Sequence, residues 1–349
     1  MQHPTTRLFR KSLFLLLFLC LSVAPRLFGQ AFQTGRQMLT AANQFIATLN
    51  PELKSKALLP FSSPDRTKWD NEPSYLVKRV GITIGELNDA QRKALQELVR
   101  TGLSPEGYLK AMNTIRLDDY LHAEGVAKKE KTADSYSSGH YWIVFFGTPS
   151  DTGRWSWRFE GHHLSLNFTL GNGAISVTPL FLGVNPALIH SGNYAGFRYM
   201  AAETDDAWAL ISILNKDQLS KATVSDELPP GKDILTRTGK EPHVKNIRGL
   251  SYTDMNDTQK KLFLHLMVDY VGNLNAELAK TEWEKLNKTG WDNFYFVLRG
   301  NISPGNPIYY AIQAPGFIIE FINRSGDINH IHSVMRDLTD DFAEDFTKE

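Results

Sequence analysis

The sequence has little cysteine and no long apolar run beyond its N-terminal region. Its one cysteine, Cys20, lies in the apolar stretch from Leu13 to Ala24, which follows several basic residues. This arrangement is typical of a secretion signal, whose apolar core is too short to span a bilayer, and it predicts cleavage near Gly29. The mature chain would then contain no thiol. An exported protein of this kind depends on its packed core, because it has no disulfide to stabilise it.

The chain also lacks an excess of charge. It contains 38 basic and 38 acidic residues, and residues 1–29 hold four of the basic and none of the acidic ones, so the mature balance is 34 − 38 = −4. This balance favours neither nucleic acid nor an anionic membrane surface as a partner. The sequence has no phosphate-binding loop, dinucleotide-binding glycine pattern, Gly-x-Ser-x-Gly elbow or His-Glu-x-x-His motif. We therefore expect a soluble secreted or periplasmic protein without stable membrane insertion.

The first half of the chain recurs in a degraded form in the second half. Residues 141–167 align without a gap on residues 294–320, with aromatic and aliphatic positions retained. A helix start precedes each block, at residues 88–91 and 256–259, with Asn as the N-cap and Gln three residues later as its capping-box partner. Alternating segments between turns then predict antiparallel strands. The expected fold class is α+β, an internally duplicated helix-plus-antiparallel-meander unit with two pseudo-symmetric halves packed together.

The domain organisation follows from this repeat. We assign the signal peptide to residues 1–29, the first αβ half to residues 30–227 and the second to residues 228–349. The segment Leu228-Pro229-Pro230-Gly231 is interpreted as the linker between them. If the two sheets join edge to edge, they form one pseudo-symmetric sheet backed by helices.

Polar residues that occur in only one copy need an explanation other than packing. In two expected strands, Trp155 to Phe159 and His163 to Thr169, alternation places several of them on one surface. These residues are Arg158, His163, Ser165 and Asn167. In one interpretation this face meets solvent and His162 is a core histidine bonded to a backbone carbonyl. In the other, the face is a histidine-centred site that binds a metal or an anion, or moves a proton.

The second copy has its own polar cluster, from Asn329 to Asp337. If a strand continues from Ile328, His330 and His332 point the same way, at a workable spacing for two metal ligands. A surface hydrogen-bonding role is the alternative for this pair.

Pseudo-twofold packing of the halves would bring the two histidine strings together. The carboxylate nearest to them would come from Glu203, Asp206 or Asp337. Three or four imidazoles with a carboxylate suit zinc or another divalent transition metal. The aromatic residues of the meander could stack on sugar faces, but their alternation favours core packing. These aromatic residues are Trp142, Trp155, Trp157, Tyr309 and Tyr310.

Residues 157–167, 179–187 and 329–337 closely resemble the domain of unknown function family 3500 (DUF3500), and the string from Gly161 to Asn167 is specific. The resemblance extends over nearly all of the mature chain. It implies no activity, because the family is named for the lack of one. It does add weight to His162, His163, His330 and His332, which fall inside the matching strings.

Two functions compete. The first is an exported hydrolase with a histidine-lined, metal-bound site, in which an arginine holds an anionic group and a carboxylate, Glu203 or Asp337, orients an imidazole. Its expected catalytic residues are His163, Arg158, Glu203 and Arg336. Its expected metal ligands are His162, His163, His330, His332 and Asp337. The alternative is a non-catalytic envelope protein that holds a small molecule or glycan in an aromatic and histidine groove between the halves.

Overall fold

The structure is a computed structural model that describes residues 31–238 and 248–343. The predicted signal peptide, residues 1–29, lies outside the described residues. Within the described ranges, no helix combines the length and the apolar character needed to cross a bilayer.

The described part of the chain forms eight α-helices. They are α1 (Ala31–Ala47), α2 (Pro51–Ala57), α3 (Asp89–Gly102), α4 (Pro105–Lys128), α5 (Ala201–Ser212), α6 (Lys216–Ala222), α7 (Asp257–Val271) and α8 (Ala276–Thr289). The predicted capping boxes are confirmed: Asn88 and Gln91 begin α3, and Asn256 and Gln259 begin α7. Each cap satisfies backbone N–H groups that have no partner inside the helix.

Thirteen strands within the described residues form one mixed sheet. They are β1 (Leu58–Leu59), β2 (Ile82–Thr83), β3 (Tyr141–Phe146), β4 (Trp155–Gly161), β5 (Leu164–Gly171), β6 (Ala174–Ser176), β7 (Leu180–Val184), β8 (Thr223–Ser225), β9 (Leu250–Ser251), β10 (Tyr295–Gly300), β11 (Ile308–Ala314), β12 (Phe317–Asn323) and β13 (Ile331–Asp337). The fold is therefore a mixed α+β fold, as the sequence predicted.

The main path of the sheet runs β1-β3-β4-β5-β7-β13-β12-β11-β10-β8. β7 and β13 pair antiparallel in its middle, and the two outermost pairs, β1 with β3 and β8 with β10, are parallel. β8 precedes the predicted boundary at residue 228, yet it pairs with β10 beyond that boundary. The division into two halves stays a prediction, and their strands belong to a single continuous sheet.

The helices cover one face of this sheet and enclose the main hydrophobic core. Trp155, Trp157 and Tyr310 are buried in that core, where Trp157 stacks on Phe168 with ring centroids 4.5 Å apart. Tyr309 is buried on the opposite face. The expectation that these aromatic residues serve packing is confirmed, whereas Trp142 is only partly buried.

The second face of the sheet is also covered, so the expectation of a solvent-exposed polar face is wrong. Arg158, Ser165 and Asn167 lie there, and all three are buried. The cover consists of largely irregular segments, residues 60–79, 226–238 and 338–343, which contribute Trp69, Ile234 and Phe342 to a second apolar cluster. The segment interpreted as a linker leads into this cover. Farther along the same covering segment, the backbone N–H groups of Leu235 and Thr236 donate to Glu320 on β12.

Candidate metal centre

His162 and His163 form the turn between β4 and β5. The sequence pattern instead predicted that they belong to an alternating strand. Gly161 pairs with Leu164 across this turn. His163 has a φ of 62°, a left-handed conformation that cannot continue a strand. The two imidazoles therefore do not point to opposite faces of the sheet. They stack with ring centroids 3.7 Å apart, and both residues are buried.

His330 and His332 reach the same place from the second half of the chain. β13 begins at Ile331, so His330 lies just before the strand instead of inside it. His332 stands opposite Gly183 of β7, and the N–H of Gly183 donates to the carbonyl of His163 over 2.7 Å. The antiparallel pairing of β7 with β13 thus brings the two histidine strings together, as expected from the sequence.

Three of the four histidines form a compact cluster. The ligand nitrogens of His163, His330 and His332 all lie within 4.8 Å of one another. Nε2 of His163 is 2.8 Å from Nε2 of His330, and two nitrogens at that distance share either a proton or a cation. A tetrahedral zinc ion with Zn–N bonds of about 2.0–2.1 Å separates its nitrogens by about 3.3 Å. That distance lies between the 2.8 Å of the His163–His330 pair and the 4.8 Å limit for all three nitrogens.

His332 provides the clearest sign that this cluster fits a metal. Its Nε2 is buried and has no hydrogen-bond partner among the described residues. Its Nδ1 is 2.8 Å from Oδ1 of Asp233. A carboxylate at Nδ1 fixes the tautomer in which Nε2 keeps its lone pair, the arrangement that metal-binding histidines usually have. An unpaired buried nitrogen is otherwise costly.

The protonation state of the cluster also suits a metal. Burial, and then the neighbouring His162, hold the pKa of His163 well below its usual value. Burial and His332 lower the pKa of His330 to about 2. Burial also lowers the pKa of His332, although its hydrogen bond with Asp233 opposes this. The three imidazoles are therefore neutral at neutral pH, which is the form that binds metal ions.

Asp233 and Arg324 complete the surroundings of the cluster, and neither is predicted by a pattern in the sequence. Burial alone would raise the pKa of Asp233, but the hydrogen bond with His332 and the charge of Arg324 hold it below its usual value. Nε of Arg324 lies 3.0 Å from Oδ2 of Asp233. No local pattern could have identified Asp233, because it lies 99 residues before His332, beside the predicted linker.

Two of the predicted metal ligands lie outside the cluster. Nδ1 of His162 is 2.7 Å from Oδ1 of Asp118, so its partner is a carboxylate and not the backbone carbonyl considered above. Asp337 lies five residues beyond His332 on β13, a separation of about 17 Å at strand spacing. It is 3.9 Å from Lys285 on α8. The structure therefore does not bring Asp337 to the histidines.

The predicted anion-binding arginines are both occupied by protein partners on the second face of the sheet. Nε of Arg158 is 2.9 Å from Glu160, and Nη1 of Arg158 donates to the carbonyl of Asp65 over 2.9 Å. Arg336 pairs with Asp341 at 2.7 Å. The bonds of Arg158 to Asp65 and of Arg336 to Asp341 join the sheet to its covering segments, and the described partners of both guanidinium groups do not include a histidine of the cluster.

Glu203 belongs to a different buried network, on the helical side of the sheet. Its Oε1 accepts from Nζ of Lys110 over 2.9 Å, and its carbonyl accepts from the hydroxyl of Tyr310 over 2.8 Å. Asp206 pairs with the exposed His265. Neither carboxylate contacts a histidine of the cluster, so the expectation that they would join it is not met.

This second network gives a pH-dependent prediction. Burial, Glu203 and Asp206 raise the pKa of Asp269 to about 8, against about 3.9 in an unfolded chain. A raised pKa makes the folded state bind the extra proton, so this residue's contribution to stability is lost as the pH rises to 8. Asn mimics the protonated carboxyl. The gain in unfolding free energy of Asp269→Asn over wild type should therefore grow from about pH 4 to about pH 8 and then level off.

Urea unfolding of both chains across this pH range measures that difference. A gain that is constant with pH would contradict the shifted pKa.

A family model described as "Protein of unknown function (DUF3500)" matches residues 32–344. No curated protein and no solved structure matches the chain.

Proposed function

Since the chain belongs to the DUF3500 family, whose description assigns no activity, we propose its function from the site: His163, His330 and His332 bind a divalent transition metal, and the protein is a metal-dependent hydrolase. The observation that supports this most is the buried, unpartnered Nε2 of His332 beside the paired Nε2 atoms of His163 and His330. Zinc is the first choice, because neutral imidazoles are among its preferred ligands.

The number of ligands favours catalysis over a purely structural site. Structural zinc sites use four protein ligands, whereas catalytic sites use three and keep one position open. Here three imidazoles converge, and His330 is only partly buried, so solvent reaches the cluster on its side. A bound metal would supply an electrophile and an activated water for hydrolysis. The bond to Asp233 fixes the imidazole of His332, and the turn between β4 and β5 positions His163.

Metal analysis of the purified protein tests this proposal. We expect stoichiometric zinc or a related metal in the wild-type chain, and its loss from His163→Ala and from His330→Ala without unfolding. His265→Ala is the matched control, because His265 lies on α7 outside the cluster. Chromogenic esters, phosphoesters, amides and glycosides would then be screened with and without chelator. A wild-type chain that takes up no metal would disprove the metal site, and a metal-loaded chain with no hydrolysis would disprove the hydrolase.

A specific observation favours the alternative, a binding protein for glycans or small molecules. Tyr194 and Phe197 are 61% and 55% exposed, and their rings meet edge to face at 6.1 Å. Their segment is tied to the site, because the N–H of Leu188 donates to Oδ1 of Asn329, the neighbour of His330. Exposed aromatic rings offer an apolar face on which a sugar ring can stack. Glycan binding by metal-free protein that Phe197→Ala abolishes would support this alternative.

We also propose that the two halves derive from one duplicated unit. Ile143 pairs with Phe159 in the first half, and Phe296 pairs with Ile312 in the second. The offsets are 296 − 143 = 153 and 312 − 159 = 153, the same as in the gap-free sequence alignment. An experimental structure in which residues 141–170 and 294–323 fail to superpose would exclude the duplication.

Export remains part of the proposal, because the N-terminal sequence has the pattern of a secretion signal. N-terminal sequencing of protein made in a secreting host should find a chain that starts near residue 30. An uncleaved chain retained inside the cell would contradict it.

A further inference from the structure

The imidazole of His163 is confined by two neighbouring residues. The ring of His162 stacks on it, with centroids 3.7 Å apart and planes inclined by 29°. Gly183 also lies against the ring, since a Cβ atom there would stand 3.2 Å from Cδ2 and 3.3 Å from Cγ of His163. The bare backbone of Gly183 therefore leaves room for the ring and little more. His162 and Gly183 thus form two walls of a narrow slot around His163.

Helix α4 holds both walls of this slot. Asp118 of α4 bonds Nδ1 of His162, and the hydroxyl of Thr114, one turn earlier, donates to the carbonyl of Gly183 over 3.1 Å. Residues four apart lie on the same face of a helix, so a single stripe of α4 positions both walls. The hydroxyl of Tyr141 lies 2.7 Å from the carbonyl of His162 and 3.0 Å from Oδ2 of Asp118.

From this geometry we propose that His162, held by Asp118, is a positioning residue for the metal ligand His163 and is not itself a ligand. The inference rests on the proposed metal site. A ligand that is already fixed in one orientation loses less conformational freedom on binding. Residues that orient metal-binding histidines typically contribute 10–100-fold in metal affinity. His162 does this through the face of its ring, since its Nδ1 is bonded to Asp118.

The test uses Co²⁺ as the probe, because its visible absorption reports the number and type of its ligands. Asp118→Asn serves as the parent chain, so that neither further change leaves a buried carboxylate without its partner. His162→Ala and His162→Phe are then compared in that background. We expect His162→Ala to bind Co²⁺ about 10–100-fold more weakly than the parent, with an unchanged absorption spectrum. His162→Phe should restore the affinity to within a few-fold, since a phenyl ring can fill the stack.

Each outcome is decisive. Equal Co²⁺ affinity of the wild-type chain, the parent and His162→Ala would overturn the positioning role, whereas a parent that already binds more weakly than wild type would show that Asp118 acts through His162. A phenylalanine variant that binds as weakly as the alanine variant, with an altered spectrum, would show that His162 is a ligand. If the alanine variant does not fold, His162→Leu takes its place, since leucine fills part of the space without an aromatic face that can stack on His163. A wild-type chain that binds no Co²⁺ would instead overturn the proposed metal site, which distinguishes the two failures.

Discussion

Glu320→Ala is expected to lower the free energy of unfolding by about 3–5 kcal/mol, because it removes the acceptor for a group of buried donors. Glu320 lies on β12 and is completely buried. It accepts from the N–H groups of Leu235 and Thr236, from the hydroxyl of Thr236, and from the hydroxyl of Tyr309. Without the carboxylate these donors lose their acceptor, and the segment that contains Asp233 loses these bonds to β12 while it keeps its contacts with β13, such as the bond between Asp233 and His332.

Urea unfolding at neutral pH, followed by circular dichroism, measures this loss. Glu227→Ala is the matched control, because Glu227 belongs to the same covering segment but is exposed. Glu320→Gln should fall between the two, since the amide keeps one acceptor oxygen. A loss below about 1 kcal/mol in Glu320→Ala, the size of an ordinary single substitution, would mean that the covering segment is held by other contacts.

The parts of the fold that depend on local sequence were predictable. The Asn88 and Gln91 pair predicts the start of α3 because both hydrogen bonds of a capping box form within four residues. The strands of the meander follow from alternation of side chains, which is a property of the extended backbone alone. The burial of Trp155 and Trp157 follows from the same alternation.

The site depended on features that have no local signal. The alternation of a strand predicts that His162 and His163 point to opposite faces of the sheet. Because His163 has a left-handed φ, the two residues instead form a turn in which their rings stack. A non-glycine residue in that conformation is uncommon, so a sequence gives no reason to expect it. The sequence did indicate that the histidine strings converge, but only through the assumption of pseudo-twofold packing. The pairing of β7 with β13 that joins them is a long-range contact.

The covering segments explain the remaining errors. One of the two interpretations of the polar face of the first half places it in solvent, since half-exposed antiparallel sheets usually have a polar side. Residues 60–79 and 226–238 instead lie over the sheet, and Arg158 bonds to the backbone of the first of these segments, at Asp65, and to Glu160. Irregular segments have no periodicity, so neither their course nor the position of Asp233 beside His332 could be derived from the sequence.

Zinc is expected to raise the free energy of unfolding of the wild-type chain by about 4 kcal/mol when free zinc is roughly 1,000 times its dissociation constant. The gain arises because the three imidazoles are close together only in the folded chain. His332→Ala should lose this gain, since it removes the buried Nε2 that has no other partner. His265→Ala should keep it, because His265 is exposed and outside the cluster.

Thermal or urea unfolding with and without zinc, compared within each variant, measures the gain separately from any effect of the substitution on the metal-free fold. That separation is needed because His332→Ala also leaves Asp233 without its imidazole partner, which lowers stability whether or not zinc is present. An equal zinc-dependent gain in wild type and His332→Ala would place the metal elsewhere. If neither chain is stabilised, the short distance between the Nε2 atoms of His163 and His330 reflects a shared proton and not a metal site.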